Sequence, residues 1–214
     1  MRDYPFGLWL SLKIFRIISA LIPHANLRRK MRILPFTLSR HAHQMVVSSD
    51  LIKANVFISM GDACKPALHL REYGLRTLSS PLDWMMGYSL DEAYRCFSVG
   101  FSDFFAECYD NGGADGKERS VVSKSNAGMI SIHAFPKKIA LDEFLPTFRA
   151  QTKRRFLRIK AKILASQSVA LVSARAVSMS EMANFGRKMQ SLFTNWGGGG
   201  IAPKFNYHKY PPQR

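Results

Sequence analysis

The chain has 214 residues, 47% of them hydrophobic, which is enough for one domain with a real core and a short appendage. A formal net charge of +16 and a pI near 10.1 favour anionic partners, such as acidic lipid headgroups, phosphorylated substrates or nucleic acid. Three cysteines, Cys64, Cys96 and Cys108, without CxxC spacing exclude a disulfide framework and a zinc module, and fit a reducing compartment.

Residues 1–45 read as a basic, amphipathic helical arm. The apolar stretch from Phe6 to Ile22 is broken by Lys13 and Arg16 and is shorter than a bilayer span. It also lacks the uninterrupted apolar run and small-residue cleavage site of a secretory signal. At helical spacing Leu10, Ile14, Ile17, Ile18 and Leu21 share one side, and Arg28-Arg29-Lys30-Met31-Arg32 follows. Two readings stand: a segment lying on an anionic membrane surface, or a helix packed on the domain or a partner. No recognised DNA or RNA module surrounds the cluster, so nucleic acid is not the expected partner. The His41/His43 pair is too sparse to imply a metal.

The domain is expected over 50–196. Val56 to Ser59 predicts a buried strand. Pro66 to Tyr73 predicts a helix, with Asp62 as N-cap and Gly74 as stop, and Leu75 to Ser79 a second strand. Ser89-Leu90-Asp91-Glu92 has the pattern of a capping box opening a helix to Phe97. Phe101, Phe104 and Phe105 suggest a further short helix, and Asp110 to Lys117 a loop. Val121-Val122 and Met129 to His133 predict a strand pair turning at Asn126-Ala127-Gly128. Pro146 to Ala165 predicts the longest helix, with Phe148, Phe156, Ile159 and Ile163 on its buried face and its many charges solvated. Val169 to Val172 predicts a strand and Ser178 to Phe193 a helix. The tail, 197–214, reads as flexible, or as a domain cut short before the last strand that alternation calls for. This order predicts an α/β fold, a three-layer sandwich with a largely parallel sheet, binding ligands beyond the carboxyl ends of its strands.

Those ends carry Gly61 to Cys64, Ser80 to Asp83, His133 and Arg175. Cys64 follows a strand and opens a helix, where free N–H groups favour a thiolate and a nucleophile; the alternative is a small residue filling a tight corner. Gly61 lets the backbone turn there. His133, at a strand end, can take and return a proton. Asp83 can orient the imidazole or simply cap a turn. Trp84 is a core anchor or a substrate platform. Arg175 can hold a carboxylate or phosphate, or lie on the surface. No P-loop, GxGxxG, HExxH or GxSxG occurs, so neither a cofactor nor a metal is expected.

The run ISMGDACKPALHLREYGLRTLSSPLDW, followed by GMISIHAFP, resembles the bacterial DUF1796 family of papain-like cysteine peptidases. The likeness rests on Ser59, Gly61, Cys64, Gly74, Leu75, Arg76, Ser79, Pro81, Asp83, Trp84 and His133, and extends from Asn55 to Phe193. Leu82 replaces the family's usual Phe before Asp-Trp. The resemblance implies a cysteine-dependent hydrolase of peptidase or amidase type, with Cys64, His133 and Asp83 as the constellation. Gly61, Trp84, Arg76 and Arg175 would face a peptide or glycan substrate. The arm also resembles segments of surface-polysaccharide assembly proteins. That gives the alternative: a lipopolysaccharide or capsule assembly protein, or glycosyltransferase, binding an anionic sugar donor through Arg76 or Arg175. Either places the chain in the cytoplasm, with peripheral contact to the inner membrane through residues 1–45.

Overall fold

The computed structural model describes residues 43–47, 50–61, 63–112, 116–175, 177–197 and 204–209. All of them lie in one compact unit, His43–Arg214. The expected arm falls outside the described residues except for its last three positions. In chain order the elements are β1 (His43–Val47), β2 (Asp50–Ala54), β3 (Val56–Ser59), α1 (Lys65–Glu72), β4 (Met85–Met86), α2 (Leu90–Ser98), β5 (Cys108–Gly112), β6 (Glu118–Ser123), β7 (Ile130–Pro136), α3 (Leu141–Leu164), β8 (Ser168–Ser173), α4 (Met179–Trp196) and β9 (Lys204–Lys209).

The fold is mixed α/β, with no closed barrel among the described residues. Its parallel sheet is small, ordered β3-β8-β9, and a separate antiparallel sheet is ordered β4-β7-β6-β5. β1 and β2 pair as a hairpin. The sequence reading expected a largely parallel sheet. The difference arises around the expected β6–β7 hairpin, which β4 and β5 extend on either side as antiparallel partners, β5 taking up part of the expected loop 110–117. The tail, read as flexible or as cut short before a last strand, instead carries that strand as β9, parallel to β8.

Several boundaries follow from backbone hydrogen bonding. α1 tolerates Pro66 in its first turn, where a missing N–H leaves nothing unpaired, and ends at Gly74 with φ +71°. Its N-cap is Cys64 rather than the expected Asp62. The expected strand Leu75–Ser79 does not form, because the N–H groups of Leu75 and Arg76 fold back onto Leu70 O at 2.8 and 2.9 Å. Those donors close the helix instead of joining a sheet. Ser89 caps α2 by accepting from Glu92 N–H at 3.1 Å, but Glu92 does not reciprocate. Its carboxylate turns inward, and the full capping box occurs at Ser178 and Glu181. Phe101 and Phe105 adopt φ of +60° and +53°, which breaks the short helix expected there into turns. α3 begins five residues before Pro146, with Asp142 and Glu143 in its first turn.

β3 and β8 are buried on both faces. Phe57, Ala170 and Val172 pack with Leu70 and Leu75, whereas Val56, Ile58, Val169 and Leu171 join the main core. That core is aromatic. Phe97 meets Phe101 at 5.2 Å and both Phe156 and Phe193 at 6.3 Å, and Phe135 meets Phe148 at 4.5 Å. One polar network enters it. Asn126 accepts from Phe105 N–H (2.7 Å) and Ser123 Oγ (2.8 Å), and donates to Glu92 Oε1 (3.2 Å). Arg95 closes the network with two bonds to the Glu92 carboxylate at 2.9 and 2.8 Å. Phe97 is fully buried at the centre of the core. Phe97→Ala is expected to lower stability by about 3–5 kcal/mol in urea unfolding monitored by circular dichroism.

Candidate active site

Two turns build the site, one after β3 and one before β4. The first continues the β3/β8 pairing by one bond, Met60 N–H to Val172 O at 2.8 Å, and then reverses at Gly61. Gly61 has φ +68°, and a Cβ there would lie 2.1 Å from Tyr88 Oη and 2.4 Å from Leu82 O. Only glycine fits. Tyr88 is placed by its own O–H, which donates to Met60 O at 2.6 Å. Ala63 follows with φ +67°, left-handed backbone that an alanine rarely adopts. Its N–H donates to Met85 O at 3.0 Å, tying this turn to β4.

Cys64 is half-buried at the N-cap of α1, and its side chain caps no backbone N–H. Burial pushes its thiol up, opposite in sign to the helix-terminus effect expected from the sequence. Cys96 is sealed in the core, where burial and the adjacent Glu92 push its thiol far up. Burial raises Cys108 as well, against the pull of Arg149.

The second turn carries Asp83, 1% exposed. Its Oδ2 accepts from Arg76 Nε at 3.2 Å, from Arg76 Nη2 and from Ser80 N–H at 3.0 Å. Arg76 Nη2 also donates to Ser79 Oγ at 3.1 Å. No hydrogen bond of normal geometry reaches Asp83 Oδ1 among the described residues. Burial outweighs the pull of Arg76 and Ser80, so the Asp83 carboxyl sits above its ordinary value. Trp84 takes φ +132°, strained backbone for a bulky residue. Its ring meets the His133 ring edge-on, with centroids 5.9 Å apart. His133, expected at a strand end, is exposed at the middle of β7, which continues to Pro136 and pairs with β4 at Met85↔Ser131 and Met86↔Ile130.

Both turns therefore meet at β4. Ala63, beside Cys64, is hydrogen-bonded to it, Asp83 and Trp84 lead into it, and the strand bearing His133 is its neighbour. Asp83 is engaged by Arg76, and no hydrogen bond joins it to His133 among the described residues. Arg76, expected to face substrate, spends its guanidinium inside the second turn. Arg175, 6% exposed beyond β8, donates from Nη1 to Tyr88 O and stacks its guanidinium 4.0 Å from the centre of the Tyr88 ring.

Two contributors were missed from the sequence. Tyr88 gave no signal. Arg155 was assigned to the solvated face of α3 but is half-buried: burial lowers its pKa, Asp83 opposes that shift, and Arg76 and Arg158 add to it. Helical spacing contained this, because 148, 152, 155 and 159 form one stripe. Among the described residues no cluster of three or more His, Cys, Asp or Glu could hold a metal. None of their helices is long and apolar enough to cross a membrane.

Residues 55–195 match the family described as "Putative papain-like cysteine peptidase (DUF1796)", and the chain belongs to that family. Comparison with curated proteins and with solved structures gave no match.

Two predictions follow from the turns. Gly61→Ala forces a Cβ into the Leu82 carbonyl and is expected to cost at least about 2 kcal/mol in urea unfolding. Asp83 binds its proton more tightly folded than unfolded. Its contribution to stability is full below its ordinary value of 3.8 and is lost as pH rises through the raised folded value. The stability of the wild type minus that of Asp83→Asn, measured by urea unfolding at matched pH, should fall across this window.

Proposed function

We propose that the protein is a cysteine-dependent hydrolase of the peptidase or amidase type, with Cys64 as its nucleophile. The observation that carries this reading is the position of Cys64 in a chain of this family: it is partly exposed, on a strained turn, at a helix N-terminus tied to β4 beside the strand of His133. The Cys64 sulfur attacks a substrate carbonyl and its proton passes to His133, which returns it to the leaving amine as the C–N bond breaks. Water then hydrolyses the thioester, releasing the acid and restoring the thiol. Free N–H groups in the first turn of α1 receive the oxyanion.

A thiol raised by burial is largely neutral at pH 7, so it needs a base when substrate arrives. That requirement favours a Cys–His pair over a freely ionised cysteine. Asp83 acts on the imidazole through the turn it fixes and through the Trp84 ring, rather than as a direct third partner. Trp84 and Gly61 border the space in which substrate lies.

Alkylation by iodoacetamide, followed residue by residue with mass spectrometry, tests the proposal. Cys64 is expected to react at least about tenfold faster than Cys108, and Cys96 only after unfolding. His133→Ala should slow Cys64 at pH 7 by a similar factor. Equal slow rates for all three thiols, or a Cys64 rate indifferent to His133, would sink it.

A further inference from the structure

Arg175 is the residue whose placement the proposed chemistry does not yet use. It is more than nine-tenths buried, and a guanidinium is permanently charged. Burying such a group without a partner is costly, so each of its donors needs an acceptor. Nη1 has one, the carbonyl of Tyr88. Nε and Nη2 are buried and have none among the described residues.

Those two donors are not scattered. Nε–H and one N–H of Nη2 lie along the same edge of the planar guanidinium, the edge that matches two oxygens of a carboxylate or phosphoryl group. Two other arginines show what the fold does with this edge. Arg95 places Nε and Nη2 on the two oxygens of Glu92, at 2.9 and 2.8 Å. Arg76 turns the same edge onto Asp83. Arg175 presents it to no acceptor among the described residues.

Its location gives the edge a purpose. β3 and β8 are parallel neighbours with Ser59 opposite Val172, so the Gly61–Cys64 turn and Arg175 leave the same edge of one sheet. Tyr88 joins them, with its O–H on Met60 O and its carbonyl and ring on Arg175. The N-termini of α1 and α4 follow these same strand ends and add positive potential.

We infer that Arg175 is an oxyanion-binding residue of the substrate site, whose unpaired Nε/Nη2 edge receives a carboxylate or phosphoryl group on the molecule that Cys64 attacks. This inference rests on the hydrolase reading and gives it a substrate class: an amide carrying a negative charge near the scissile carbonyl. The Tyr88 contacts hold the guanidinium plane in advance, so that little freedom is lost on binding.

Two alkylating reagents differing only in charge provide the test. Iodoacetamide and iodoacetate each form an S–C bond to the cysteine and release iodide, but only iodoacetate carries a carboxylate. On the full-length wild type, the iodoacetate-to-iodoacetamide rate ratio at Cys64 is expected to exceed that at Cys108 by about tenfold, as a charge-assisted pair of hydrogen bonds would give. Sodium acetate or sodium phosphate, at ionic strength held constant with chloride, should protect Cys64 from iodoacetate. Protection by acetate alone would indicate a carboxylate ligand, and stronger protection by phosphate a phosphorylated one. Arg175→Lys, which keeps the charge and loses the fork, should bring the ratio down to that of Cys108. A fast Cys64 with no charge preference and no protection by either anion in the wild type would overturn the inference and leave the hydrolase reading standing. A slow Cys64 towards both reagents would overturn the hydrolase reading, and with it this one. Asp62→Asn is the control for an internal counterion: anion protection that appears only in that variant also overturns the inference.

Discussion

The Tyr88 ring is the constraint on which the site depends. Its hydroxyl donates to Met60 O and stands where a side chain at Gly61 would be. Its backbone carbonyl and ring face hold Arg175. One residue thus fixes the exits of two adjacent parallel strands and denies the first of them any side chain but hydrogen. A parallel sheet by itself delivers strand ends to one edge, but it does not decide which way the chain leaves them. Here that decision is made by a hydroxyl, a carbonyl and a ring belonging to the segment just before α2.

The electrostatics around the cysteine are set by burial more than by pairing. Cys64 and Asp83 both lie above their ordinary values because water is excluded, even though Asp83 touches a guanidinium. Arg155 is lowered for the same reason, with Asp83 opposing. A neutral thiol is a poor target for stray oxidants and electrophiles, since the thiolate is the reactive form.

Much of the fold was legible in the sequence, for identifiable reasons. Val56 to Ser59 and Val169 to Val172 read as buried strands because they are short apolar runs, and each is buried on both faces. Ser89 and Ser178 marked true helix starts through their hydroxyls. The Asn126–Gly128 turn gave the β6–β7 hairpin. What escaped notice lay in tertiary hydrogen bonding. Leu75 and Arg76 have strand-like composition, yet their N–H groups close α1. Glu92 has the spacing of a capping-box partner, yet Asn126 and Arg95 draw it inward. The candidate site was legible as types and in part as positions: Cys64, Asp83 and Arg175 stand at element ends, whereas His133, read as a strand end, lies mid-strand because β7 runs on to Pro136. Its pairings were not: nothing in the spacing says that Asp83 accepts from Arg76, or that Arg175 lies against Tyr88.

The pairing of β3 with β8 also bears on when the site comes into being. Asn55 and Ser168, which seal the start of that ladder, are 113 residues apart in the chain. The β6–β7 hairpin and the individual helices need only near neighbours and can organise early, whereas closure over so long a loop is slow. The turn bearing Cys64 acquires its final shape only once β8 has docked. A turn built this way has no settled form on the ribosome or in the half-folded chain, and takes shape only when distant parts of the sequence have met.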